Sequence, residues 1–198
     1  MGALSSRCAL AAALSLPAAA CGGAGTDLNQ LVGGDGGGVA QGNDPPPTPY
    51  QDPFAGAPAY VAPQSGGDGS HHAGEACMQS GCHATQGGRS DAPEFLIGGT
   101  VYQDYFGLQP AAGVEVRVVD GNGHAVSAYS GREGNFYVRS SATNGVTFPA
   151  VVGARNGTIT RPMITTLFGP AMGSCAQSPC HVAGGSPATG SYYPIHVP

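Results

Sequence analysis

The sequence predicts a mainly β protein, a small antiparallel sandwich carried on a disordered N-terminal tether. Three observations point there. Val114-Glu115-Val116-Arg117-Val118 alternates strictly, valines to one face and charges to the other, which is the period of a strand covered on one side. Turn signals recur at short spacing, at Asp120-Gly121-Asn122-Gly123, Gly131 to Gly134 and Asn156-Gly157. Beyond the first 20 residues no amphipathic helical pattern of ten or more residues is present.

The first 20 residues read as a signal peptide. Arg7 supplies a positive start, Cys8 to Ala20 is almost wholly apolar, and Ala18-Ala19-Ala20 is a small-residue cleavage site directly before Cys21. So short an apolar run falls below the ~20 residues of a membrane-spanning helix. Leu16-Pro17-Ala18-Ala19-Ala20-Cys21 resembles the lipobox of bacterial lipoproteins, with Ala18 where Leu is commonest. The resemblance implies that Cys21 is lipidated and becomes the mature N-terminus; ordinary cleavage after Ala20 is the alternative. Gly22, rather than the Asp of the inner-membrane retention signal of enterobacteria, follows Cys21, so the expected address is an exported lipoprotein of the cell envelope, in the outer membrane where there is one.

Residues 21–70 are expected to be the tether. Gly and Pro supply 20 of the 49 residues from Gly22 to Ser70, too little apolar surface to offset the entropy of ordering them. A Pro-rich ligand for a partner domain is the alternative, but no recognition spacing repeats. Residues 71–94 hold a first cysteine element, 95–170 the sandwich, and 171–198 a second cysteine element and a tail.

Within the sandwich, Phe95 to Tyr102 reads as one strand with a bulge at Gly98-Gly99. The Val114 strand turns through Asp120–Gly123 into Ala125 to Tyr129, and the Gly131–Gly134 turn leads into Asn135 to Val138. A strand around Val146 to Ala154 meets Thr158 to Thr166 across Asn156-Gly157, which tolerate the positive φ of a type I′ turn. The expected core is Leu96, Val101, Val114, Val116, Val118, Phe136, Val138, Phe148 and Ile159.

Phe95 to Tyr102, Ala112-Gly113-Val114-Glu115-Val116, Asp120–Gly123 and Gly134-Asn135-Phe136-Tyr137 together resemble a carboxypeptidase-regulatory-like, immunoglobulin-like sandwich of exported bacterial proteins. In such chains haem-binding elements often flank the sandwich, and the resemblance spans roughly residues 71–183. It implies covalent haem on both sides of the domain, and it puts His72 forward as the second axial ligand of the first site.

Two elements of one spacing occupy those flanks, Cys77-Met78-Gln79-Ser80-Gly81-Cys82-His83 and Cys175-Ala176-Gln177-Ser178-Pro179-Cys180-His181. Cys-x-x-Cys-His is the attachment signature of c-type haem: two thiols add across the porphyrin vinyl groups and the next His is held under the iron. Here four residues separate the cysteines, so the loop must bulge to reach the same carbons. Cys77, Cys82, Cys175 and Cys180 are thus the candidate cofactor-binding residues, and His83 and His181 the candidate iron ligands. His196, Met163 and Met172 are candidates for the far side of the second iron; a His there lowers the potential and a Met raises it. Two other readings stay open. The cysteines can close small disulfides, within each element or between them, in an oxidising compartment, giving a haem-free surface or binding module; or Cys and His together can hold zinc or copper.

With all seven basic residues Arg and a net charge of -5, no basic patch is at hand for nucleic acid or an anionic membrane. The Ser, Asp and Glu residues form no triad or carboxylate pair, and the Gly runs lack the strand and helix context of a phosphate loop. The expected partners are a membrane, through the lipid on Cys21, and redox proteins, with electron transfer and no enzyme activity.

Overall fold

The computed structural model describes residues 51–64, 71–84, 87–140, 145–157 and 159–198. The segment read as a signal peptide, Cys21 and most of the expected tether lie outside them. Among the described residues there are seven strands: β1 (Phe95–Tyr102), β2 (Glu115–Asp120), β3 (Ala125–Tyr129), β4 (Asn135–Arg139), β5 (Ala150–Asn156), β6 (Ile159–Pro162) and β7 (Ile195–His196). They form a three-stranded sheet, β4-β1-β7, against a four-stranded sheet, β3-β2-β5-β6. Helix among the described residues is limited to two single 3-10 turns, at Pro170–Met172 and Pro187–Thr189. This is the small mainly β sandwich the sequence predicts.

The predicted turn between β2 and β3 falls where its residues demand: the strands pair from Glu115↔Tyr129 to Val119↔Ala125, joined by a turn in which Gly123 has φ 81°. The turn between β5 and β6 comes one residue later than predicted, because Asn156 pairs with Ile159 within the ladder and Gly157, at φ 58°, begins the turn. These left-handed conformations favour glycine, which has no Cβ to clash. Val101, Val114, Val116, Val118, Phe136 and Val138 are buried in the core; Leu96, Phe148 and Ile159 are partly buried against it.

Four details differ from the sequence reading. The irregularity in β1 lies between Phe95 and Ile97, not at the glycines, and it turns Ile97 rather than Leu96 fully inward. The sheet is not wholly antiparallel: β7, only two residues long, pairs parallel to β1 at Val101↔Ile195 and Tyr102↔His196. The tail thereby closes the sheet edge, with Val197 at 0% exposure, and the second cysteine element joins it through the parallel bridge Gly98↔Ser174. Two residues at an edge are too few to leave a periodic signal.

The fourth difference concerns residues 51–64, placed in the tether by composition. They lie along the outer face of the four-stranded sheet. Tyr60 Oη donates to Gly113 O at 2.8 Å, Arg117 Nε to Pro53 O at 3.0 Å and Arg155 Nη2 to Pro58 O at 2.7 Å, while the Arg155 guanidinium lies 4.6 Å from the Phe54 ring centre. The reason is local. Proline lacks an N–H and keeps an extended segment stiff, so its carbonyls can be offered to sheet arginines at little entropic expense.

Candidate functional site

The two cysteine elements fold alike, from the backbone outward. In each, the His N–H donates back to the carbonyl of the first Cys: His83 N to Cys77 O at 3.1 Å, and His181 N to Cys175 O at 2.9 Å. In each, the first Cys Sγ faces the carbonyl two residues earlier, Cys77 to Glu75 O at 3.7 Å and Cys175 to Gly173 O at 3.5 Å. In each, the His Nδ1 meets a carbonyl from the returning chain, His83 to Pro93 O at 2.8 Å and His181 to Tyr193 O at 2.7 Å. A carbonyl only accepts, so Nδ1 is the donor in each, and the neutral ring then keeps its lone pair on Nε2, the tautomer a metal-ligating imidazole needs.

The first element lies on the outer face of the three-stranded sheet. His83 stacks on Phe95 with ring centres 3.9 Å apart, and Phe95 stacks on Tyr137 at 4.4 Å, both within 7° of parallel. This ladder fixes the plane of the imidazole. Beside it is a cavity of about 480 Å³ lined by Cys77, Cys82, His83, His71, Phe95 and Tyr137 among others, with the Arg89–Asp91 ion pair (2.6 Å) among its lining side chains.

His71, not His72, is the imidazole brought to His83. Their ring centres are 5.9 Å apart, close to the ~6 Å expected when two imidazoles share one metal at bonds of about 2 Å. His72 turns to Glu75 instead, at 3.0 Å, and lies exposed at φ 54°. Spacing carried this signal: three residues lead from His71 to Gly74 and three more to Cys77. A buried relay missed by the sequence reading holds the loop. Thr100 Oγ1 donates to Asn135 Oδ1 at 2.7 Å and accepts from Gly74 N at 2.9 Å, and Asn135 Nδ2 donates to His71 O at 2.7 Å.

The second element sits at the open edge between the sheets. Two adjoining cavities, about 280 and 200 Å³, share Met163, Cys175 and His181 in their walls; the larger reaches His196 and the smaller Met172. Their lining is almost wholly apolar. Burial lowers the pKa of His181 and so keeps its imidazole neutral, with nearby His196 adding to the effect against the bond to Tyr193. Of the far-side candidates, Met163 shares both cavities with His181, His196 shares the larger one, and Met172, whose sulfur lies 3.4 Å from Phe168 N, shares the smaller. Tyr105 packs on Tyr193 at 4.0 Å and edge-on to His196 at 5.3 Å, covering the larger cavity from outside.

The thiols differ. Burial pushes the Cys77 thiol up, and pushes that of Cys175 up to about 12, with Cys77 adding to the rise. Cys77, Cys82 and Cys175 are free, so neither element closes a disulfide on itself, while Cys180 is disulfide-bonded. Among the described residues no three His, Cys, Asp or Glu side chains converge as a ligand set for a bare ion. Haem asks less of the protein, one or two axial ligands and two thiols, and each element offers an imidazole beside a cavity, mixed in lining at the first and almost wholly apolar at the second. One buried hydroxyl, Ser174 Oγ next to Cys175, has no hydrogen-bond partner, so this edge is one polar contact short of complete.

No helix among the described residues is long and apolar enough to cross a membrane. Comparison with protein-family models, curated proteins and solved structures found no match to this chain.

Proposed function

We propose that the chain is an exported, lipid-anchored protein that carries two covalently attached c-type haems and passes electrons in the cell envelope without turning over a substrate. The observation that supports this most is the matched fold of the two elements, down to a His whose Nδ1 is held by a carbonyl and whose Nε2 is left to ligate. Cys77 with Cys82, and Cys175 with Cys180, would form the thioether bonds. His83 and His181 would be the proximal ligands, and His71 the second ligand at the first site. A haem held this way supplies a one-electron iron couple. The protein's own part is to fix the two imidazoles, exclude water with apolar walls at the second site, and present both sites to redox partner proteins. Lipid on Cys21 would attach the chain to the membrane, and no nucleic-acid partner is proposed.

The haem-free reading, a disulfide-stabilised surface or binding module, draws on one observation, the disulfide at Cys180. Under the haem reading that sulfur is a thioether instead. Intact mass of protein from a host with cytochrome c maturation separates the two: two haems add more than a kilodalton, whereas disulfides remove only hydrogens. A haem-staining band should survive denaturing electrophoresis, and Cys82→Ala should weaken or abolish attachment at the first site only. A mature mass showing only lipid and lost hydrogens would end the haem reading. An unmodified N-terminus at any residue other than Cys21, in protein from its native membrane, would end the lipid one.

A further inference from the structure

We propose that the two elements form one redox unit, joined across β1 at Gly98-Gly99, so that the centres exchange electrons directly instead of acting as separate sites. The inference rests on the haem reading above and adds to it how the two sites are related.

Successive residues of a strand point to opposite faces, and these two glycines use that alternation. A Cβ placed on Gly98 would lie 3.3 Å from Cys77 Cβ, on the outer face of the sheet. A Cβ placed on Gly99 would lie 2.9 Å from Cys175 Cβ and 3.2 Å from the Phe136 ring, on the inner side. The first cysteine of each element thus rests on the same strand, one residue apart and on opposite faces, tightly at Gly98 and with no room for a side chain at Gly99. The second element is pinned there by the backbone: Gly98 N donates to Gly173 O at 3.0 Å and Cys175 N to Gly98 O at 2.9 Å. Sequence distance hides this. Cys77 and Cys175 are far apart along the chain, yet both pack against adjacent residues of one strand.

A cofactor bonded to Cys77 and one bonded to Cys175 would therefore have their attached edges on the two sides of one polypeptide strand. Haems held at these cysteines would supply two one-electron couples, so exchange between them would be balanced and would require no proton. The unit would connect the outer face of the three-stranded sheet with the open edge between the sheets, two surfaces that two different partners can reach at once.

The test uses the loaded full-length protein and two single-site variants, Cys77→Ala/Cys82→Ala and Cys175→Ala/Cys180→Ala. Redox titration of each variant should follow a single one-electron curve. The wild-type curve should depart from the sum of the two, because reducing one centre changes the charge beside the other, and the oxidised wild type should show paramagnetic signals altered by the second iron. Gly98→Ala, whose methyl meets Cys77 at a distance the flexible element can relieve, should keep both haems by mass and shift the first centre more than the second. A wild-type protein with two haems by mass, an additive titration curve and unperturbed signals would overturn the relay and leave the haem reading intact. A wild-type mass without haem would instead remove the reading on which the relay rests.

Discussion

The Glu115 carboxylate grips the Arg155 guanidinium at 2.7 Å beneath the segment of residues 51–64, with both side chains at or below 10% exposure. Glu115 also accepts from Ser127 Oγ at 2.6 Å, and Arg155 donates to Pro58 O. The pair lies on the face of β2 that strict alternation assigns to solvent. Removing one partner of a buried ion pair strands the other, at about 3–5 kcal/mol. Glu115→Ala should therefore destabilise the domain by about 3 kcal/mol, the lower end because Pro58 O and Phe54 still hold Arg155. Strict alternation, which places Glu115 in solvent, implies almost no effect, and the midpoint of urea unfolding distinguishes the two.

Val116→Asp on the opposite face should unfold the domain outright, since it buries a carboxylate in the core with no partner. Circular dichroism of the purified variant reads this directly.

Alternation thus told which way the valines point and not what covers the other side. The valine face, the hairpin turns and the two-sheet plan follow from local patterns, each written in a few adjacent residues. The ion pair could not be read because its cover comes from residues 51–64, whose composition is that of a linker. The facing of Ile97 could not be read either: one irregular step after Phe95 reverses the expected inside and outside for its neighbour.

Asp120 gives a pH dependence. Desolvation pushes its pKa up, but donors from Thr147 N and Oγ1, His124 N and Asn122 N together outweigh it and hold the group at about 2. A carboxylate whose folded pKa lies below the unfolded value of about 4 stabilises the fold above that value. The contribution is lost as pH falls from about 4 toward 2. Thermal midpoints of the wild type should drop through this window, and Asp120→Asn should flatten that part of the profile while lowering stability at neutral pH.

In haem-free protein Cys175 should be the slowest of the three free thiols to alkylate. With its pKa pushed up to about 12, only about one part in ten thousand is thiolate at pH 8, and the sulfur is buried as well. Peptide mapping after timed iodoacetamide treatment should show Cys77 and Cys82 labelled first. Faster labelling at Cys175 would mean that the edge between the sheets opens readily.

The paired elements stood out in the sequence because both cysteines and the histidine recur at one spacing. Their supporting atoms did not, because Pro93 O and Tyr193 O are backbone groups that any residue could supply, reached 10 and 12 residues further along the chain. Choosing between adjacent His71 and His72 needed the loop geometry. In the loaded protein, His71→Ala should change the optical spectrum of the first centre with both haems still attached, and His72→Ala should leave it unchanged.

The loop that carries His71 depends on Thr100, which is 2% exposed and makes two hydrogen bonds through one hydroxyl. Thr100→Val keeps the shape and removes the hydroxyl, so Gly74 N and Asn135 Oδ1 both lose a buried partner. An unpaired buried polar group is worth about 1–3 kcal/mol, so the variant should be measurably less stable. If Thr100 acts only in folding, the effect ends there. If it positions His71 through Asn135, the spectrum of the first centre should also shift toward that of His71→Ala, with the intact mass and the second centre unchanged. Thr100→Ser, which restores the hydroxyl without the methyl, should return the spectrum to that of the wild type. A Ser variant that recovers stability but not the spectrum would show that the relay does not set the ligand.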